Sequence, residues 1–300
     1  MSNTRIWIKA FRLRTLPLAI SCIAMGGFLA SAAGAFRWDV FGLCVLTTIF
    51  LQVLSNLAND YGDSIHGADS ADRKGPSRAV QSGAVTKGQM RTAVLIFVLL
   101  SLISGISLLL VSFGLQWKAL FFFFGLGVLS ILAAIAYTVG KRPYGYAGLG
   151  DISVLLFFGL VGVLGSYYLF TKKITALEIL PALSCGLFSI AVLNINNIRD
   201  IDSDRKAGKF SIPVRIGREK AILYHLFLLV AGWLSSFVYA ALTYSSPWQL
   251  LFLISLPLFI KNAKAVSSKP SHELDPYLKQ MALSTLLFVL LFGVGLMVVS

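Results

Sequence analysis

The sequence predicts an all-α, polytopic membrane protein of nine transmembrane helices, and three observations carry that prediction. Hydrophobic residues make up 57% of the 300 even before glycine is counted, against roughly 45–50% in soluble domains with glycine included. Charged residues are only 13%, about half the share of a soluble chain, and they gather in a few places. Between those places, apolar runs recur at 16–35, 40–58, 93–113, 119–139, 152–171, 174–194, 221–241, 244–260 and 281–299, each close to the ~20 residues that cross a hydrocarbon core. The runs are continuous and do not alternate with period two, which excludes transmembrane strands. The eighth is the shortest and carries Pro247 and Pro257, so a kink is expected there.

The basic residues orient the spans. Of the 26 Lys and Arg, 22 fall in segments 1–15, 59–92, 140–151, 195–220 and 261–280, leaving only Arg37, Lys118, Lys172 and Lys173 for the other side. The positive-inside rule therefore places those five segments in the cytoplasm of a bacterial inner membrane and the C-terminus outside, with residues 1–300 forming one transmembrane domain. The net charge of +13 is then topological, not the mark of a nucleic-acid surface. Cys22, Cys44 and Cys185 all lie inside apolar runs without metal-ligand spacing, and read as small core residues.

The acids are the informative residues, because ionisable groups beside membrane spans are costly and usually functional. Seven of the 13 carboxylates sit in two stretches. Asn56, Asn59, Asp60, Asp63, Asp69 and Asp72 leave span two; Asn194, Asn196, Asn197, Asp200, Asp202 and Asp204 leave span six on the same side. If both helices continue past the membrane boundary, Asn59 and Asp63 share one face, and Asn196, Asp200 and Asp204 form a second column at i, i+4, i+8. Carboxylate and carboxamide oxygens without Cys or paired His suit Mg²⁺ and argue against zinc. Mg²⁺ keeps waters and uses one or two carboxylates plus ligand phosphates, so two facing columns fit a diphosphate held through bridging ions. Arg73, Lys74, Arg78, Arg199, Arg205 and Lys206 lie around them and are candidates to neutralise phosphate oxygens, with topogenic charge as the plain alternative.

At these residues the sequence resembles the UbiA superfamily of intramembrane aromatic prenyltransferases, whose members carry two aspartate-rich motifs after the second and sixth of nine helices. Four stretches carry the likeness: Arg12 to Leu18, Asn56 to Pro76, Tyr137 to Asp151, and Asn196 to Asp204. They are most similar to the branch that acts on 1,4-dihydroxy-2-naphthoate. The resemblance implies that Mg²⁺ binds a polyprenyl diphosphate, the allylic carbon–oxygen bond ionises, and the naphthoate ring attacks at the carbon bearing the carboxylate. The implied products are demethylmenaquinone, diphosphate and CO₂. It also implies a metal set of Asn59, Asp63, Asp69, Asn196, Asp200 and Asp204. Many members place a third aspartate where this chain has Gly67, a departure the naphthoate branch shares, with Asp69 two residues later.

Substrate contacts are expected from Arg12, Asn59, Lys74, Arg78, Asn196, Asn197 and Arg199. Lys141 and Arg142 are candidates for either the diphosphate or the naphthoate carboxylate. Asp63, Asp200 and Tyr137 are the expected catalytic groups; a phenol at the end of span four suits an allylic cation or the diphosphate, and also suits an interfacial belt. Asp151 is expected to cap the start of span five. The Phe121 to Phe124 run either lines a tail chamber or faces lipid. A 4-hydroxybenzoate prenyltransferase is the nearest alternative activity. A transporter is the more distant one, disfavoured because both acid clusters begin at helix ends and form no relay across the bilayer.

Overall fold

Residues 3–66 and 78–298 are described in a computed structural model. A short helix α1 (Asn3–Phe11) and a 3-10 turn (Leu13–Thr15) lead into α2 (Leu16–Ala32), followed by α3 (Trp38–His66), α4 (Lys87–Phe113) and α5 (Trp117–Ala136). The fifth span is composite: α6 (Gly150–Val154), a π-wound stretch (Leu155–Gly165) and α7 (Ser166–Thr171). Next come α8 (Ile179–Arg199), the short α9 (Ile201–Lys206) and α10 (Ile212–Leu242). A 3-10 segment (Pro247–Ser255) runs into α11 (Leu256–Ser268), and after a turn at Ser271–Glu273 the chain ends in α12 (Asp275–Met297). Among the described residues nine spans are long and apolar enough to cross a membrane, as the sequence predicts.

Local chemistry explains the boundaries, several of which differ from the apolar runs. α4 starts at Lys87 rather than residue 93 because Thr86 and Gln89 form a reciprocal capping box. It stops at Gly114, whose φ of 58° suits a glycine. α8 starts at Ile179 rather than 174, since Glu178 accepts from the backbone and hydroxyl of Thr175 and closes a turn first. The eighth span changes from 3-10 to α winding at Leu256, beside Pro257, and continues to Ser268, past the expected end at 260. α12 begins six residues before the apolar run, at Asp275 followed by Pro276, a favoured first-turn pairing. In α4, α11 and α12 the helix outlasts the hydrophobic stretch, because charges stop an apolar run without stopping a helix.

α2, α8 and α12 are the most buried spans, whereas α4 and α5 lie at the periphery. α8 packs along α10, the composite fifth span and α12, while α2 packs along α12 and α3. Gly159 of the π stretch and Gly186 of α8 meet backbone to backbone; a Cβ on Gly159 would lie 2.9 Å from the Ala182 carbonyl oxygen. Such small-residue contacts are how helices approach closely in lipid. Phe188, Trp233, Phe252, Phe259, Phe288 and Phe292 interlock across α8, α10, the eighth span and α12. Ser184 donates to the Gly232 carbonyl at 2.6 Å and Asn194 to the Ala221 carbonyl at 3.0 Å, tying α8 to α10 by hydrogen bonds that lipid cannot compete for. Phe121 and Phe122 are about 70% exposed on the outer side of the bundle, whereas Phe123 and Phe124 turn to an internal cavity, so the run divides between the two expected roles.

Candidate active site

The cavity has a volume of about 450 Å³ and runs between α2, α3, α4, α5, the fifth span and α8. Its polar end is lined by Arg12, Asn59, Asp63, Arg78, Asn197 and Lys209, and the rest is largely apolar, with Cys44, Leu109, Phe123 and Leu169 far from those charges. Asp63 and Cys44 both line it from α3; at 1.5 Å per residue they are about 28 Å apart along that helix. A polar mouth therefore opens into a hydrophobic channel nearly as long as a bilayer core is thick.

α3 continues without a break to His66, so Asn59 and Asp63 share a face as expected. Asp63 is 3% exposed and held from two sides: Tyr146 donates its hydroxyl to Oδ1 at 2.7 Å, and Arg78 is ion-paired to Oδ2. Arg78 also donates to the Asn59 carbonyl oxygen at 2.8 Å. Asp60 plays a different part, accepting from the backbone N–H of Ala79 and Val80 and so fastening the turn that presents Arg78. Thr138 donates to Asn59 Oδ1 at 3.2 Å and to the Ala58 carbonyl at 3.0 Å, which brings the loop after α5 against α3.

That approach depends on Gly62. A Cβ there would lie 2.5 Å from the Thr138 carbonyl oxygen, closer than any real contact. Gly62→Ala is expected to push this loop outward, misplace Asn59 and Tyr137, and cost about 1–3 kcal/mol of stability. Thermal unfolding in detergent checks it, and an unchanged midpoint would contradict the close packing.

The second column is locally distorted at its middle residue. α8 ends at Arg199, Asp200 takes a non-helical backbone conformation (φ −101°, ψ 13°), and α9 restarts at Ile201. The i to i+4 backbone bonds nevertheless run through it, Asp200 N–H to the Asn196 carbonyl at 3.2 Å and Asp204 N–H to the Asp200 carbonyl at 2.8 Å. Beside the distortion Arg199 folds back on its neighbour, donating Nε to Asp200 Oδ1 at 2.9 Å and Nη2 to Oδ2 at 2.7 Å, and Nη2 also to Asn196 Oδ1 at 2.8 Å. Arg199 is 2% exposed and does not line the cavity, so in this state it serves the aspartate and not an incoming phosphate. Asp200 and Asp204 likewise lie buried behind the wall, while Asn196 and Asn197 reach it.

Lys209 is not among the residues that the sequence motifs single out, yet it sits between the two motifs. Gly208, with φ 71°, turns the chain back after α9, and Lys209 Nζ lies 3.1 Å from Asp204 Oδ2. Burial works against its charge, but Asp204 and Asp63 more than offset that and hold its pKa above the ordinary lysine value. Burial likewise raises the pKa of Asp204, the Asp200 and Asp63 charges adding to the rise and Lys209 opposing it. Tyr137 lines the cavity, and its phenol is pushed up to about 12, first by burial and then by nearby carboxylates, so it remains a neutral donor. Asp275 is a second missed residue, bound to Arg199 and Arg14. The signal available for both was position: a Lys after a helix-ending glycine, and an acid opening a span.

Other expectations are corrected. Lys141 and Arg142 are exposed on the loop and do not reach the cavity, because Gly140 with φ 118° turns the chain outward after Val139. Asp151 is not a cap; it lies in the first turn of α6, buried, accepting from Tyr224 at 2.8 Å. Asp69 and Lys74, with Arg73, lie outside the described residues. Among the described residues no cluster of three His, Cys, Asp or Glu could hold a metal unaided. The donors present nevertheless suit Mg²⁺: they are all oxygen, and the buried Asn197 Oδ1 on the cavity wall has no hydrogen-bond partner.

Comparison with known proteins gives the family. The chain is 47% identical over 299 residues to a 1,4-dihydroxy-2-naphthoate octaprenyltransferase of Haemophilus influenzae, covering 98% of this chain and 96% of that protein. It is 44% identical over 297 residues to the Escherichia coli protein of the same name, covering 99% and 96%. In fold it is similar to a UbiA homologue from Archaeoglobus fulgidus bound to GPP and Mg²⁺, with a TM-score of 0.63 at 16% identity over 97% of this chain and 100% of that one. Residues 19–286 match the model of the UbiA prenyltransferase family, and with relatives this similar over nearly the whole length the chain belongs to that family.

Proposed function

We propose that this protein transfers a polyprenyl group from a polyprenyl diphosphate to 1,4-dihydroxy-2-naphthoate, with Mg²⁺ and with loss of CO₂. The observation that carries the reading is the joining of two oxygen-rich motifs at the polar mouth of a long apolar cavity. The names of the two bacterial relatives supply the acceptor, and the bound GPP and Mg²⁺ of the archaeal homologue supply the donor class and the ion. The polyprenyl chain lies in the channel, where burial stabilises it by about 0.8 kcal/mol per methylene. The distribution of basic segments supports a polar mouth on the cytoplasmic side of an inner membrane.

Asn59, Asp63, Asn196, Asn197, Asp200 and Asp204 would hold Mg²⁺, which would supply Lewis-acid stabilisation of the departing diphosphate. Arg78, Lys209 and Arg12 carry phosphate oxygens, adding preorganised charge where negative charge develops. The neutral Tyr137 phenol faces the ionising allylic carbon. The ring carbon bearing the carboxylate forms the new C–C bond as the allylic C–O bond breaks. CO₂ then leaves and its bonding electrons restore the aromatic ring, so that carbon neither gains nor loses a proton. No oxidant is consumed, so the product leaves as the hydroquinone, and the quinone named by the resemblance arises by later oxidation.

Release of labelled CO₂ from carboxyl-labelled 1,4-dihydroxy-2-naphthoate by purified protein in detergent tests the reading directly. Release is expected only when both polyprenyl diphosphate and Mg²⁺ are present. Absence of release, with prenylation of 4-hydroxybenzoate instead, would replace the acceptor and keep the diphosphate site.

A further inference from the structure

Asp275 opens α12, yet its carboxylate reaches two other spans. Oδ2 accepts from Arg14 Nη1 at 2.9 Å, just before α2, and Oδ1 accepts from Arg199 Nη1 at 2.5 Å, at the end of α8. Arg199 is at the same time bonded through Nε and Nη2 to both oxygens of Asp200 and to Asn196 Oδ1. Its three nitrogens thus serve two carboxylates and a carboxamide, of which Asp200 and Asn196 are the oxygens proposed for the metal. A divalent cation at those oxygens competes with Nε and Nη2 for their lone pairs, and a guanidinium only 2% exposed cannot turn to water for a substitute partner.

We propose that Asp275 is a positioning residue for the metal site: it retains Arg199 through Nη1 when Asp200 and Asn196 are given over to the divalent cation, while Arg14 fixes Asp275 from the first span. The proposal rests on the reading of Asp200 as a metal ligand. Asp275 accepts from both arginines and is 30% exposed at its side chain, and neither contact uses an oxygen proposed for the metal. Take that charge away and Arg199 has Asp200 as its one carboxylate partner, so it competes harder with the metal for the same oxygens.

The test is Mn²⁺ binding to the full-length protein in detergent, read from the electron paramagnetic resonance of free Mn²⁺ with inorganic diphosphate present. The wild type is expected to bind and Asp200→Ala to lose affinity. Asp275→Asn is expected to weaken Mn²⁺ binding about tenfold, the effect of one charged hydrogen bond. Asp275→Glu should restore most of it, and the Mg²⁺ concentration for half-maximal turnover should shift by a similar factor. If Asp275→Asn does not fold, Arg14→Gln takes its place with a shift of about threefold, since the carboxylate survives but loses its anchor. Unchanged Mn²⁺ affinity in Asp275→Asn, with only a lower unfolding midpoint, would make Asp275 a purely structural tie and overturn the proposal. Loss of Mn²⁺ binding in neither Asp200→Ala nor the Asp275 variants would instead overturn the reading of Asp200 itself.

Discussion

Asp63→Ala is expected to reduce prenyl transfer by roughly a thousandfold, the scale of losing a preorganised charge at a developing anion. Among the described residues Asp63 is the one carboxylate that combines burial, a place on the cavity wall, and contacts to both Arg78 and Tyr146. Removing it takes away a candidate metal ligand and frees Arg78 and Tyr146 together. Asp63→Asn keeps the shape and a hydrogen bond to Tyr146 but not the charge, so it should recover folding and little activity. Stability should fall only modestly, by about 1–3 kcal/mol, because Arg78 keeps the Asn59 carbonyl. CO₂ release with parallel thermal unfolding separates the two effects; near-normal turnover would refute the site.

Asp200→Ala is expected to lose activity to a similar degree but to cost more stability, about 2–4 kcal/mol. The contrast follows from burial. Arg199 would lose both bidentate contacts while enclosed behind the cavity wall, with Asp275 left to hold it. The backbone distortion between α8 and α9 also lies beside that pairing, so α9 and Asp204 should shift with it. A variant as stable as Asp63→Ala would show that the Arg199–Asp200 pair contributes little to the fold. Full activity would remove Asp200 from the metal set.

Much of this was legible in the sequence, for a physical reason. Hydrophobic length fixes the number of spans, and the Lys and Arg distribution separates their two ends, so nine spans and the common side of both motifs follow directly. Spacing within one unbroken helix also held, as Asn59 and Asp63 show. The i+4 backbone bonds run on through Asp200, but its departure from helical φ and ψ and the fold-back of Arg199 onto it are local details that spacing alone does not carry. Lys209 and Asp275 were invisible as site residues because their partners lie on distant or turned segments, and charge counting sees position along the chain but not pairing. The π winding of Leu155–Gly165 was hidden for a related reason: an apolar run has the same composition in either helix type.

The ion pairs at the mouth have a consequence for solution behaviour. Asp63 with Arg78, Asp204 with Lys209, Asp200 with Arg199 and Asp275 with Arg14 each match one negative charge to one positive. A metal-bearing diphosphate entering among these pairs exchanges partners with them, with Arg12 beside them on the cavity wall. Few condensed counterions stand to be released, and the first three pairs are shielded from the bulk electrolyte by burial. Ionic strength should therefore govern how the protein meets a charged bilayer surface far more than how tightly its mouth holds the diphosphate.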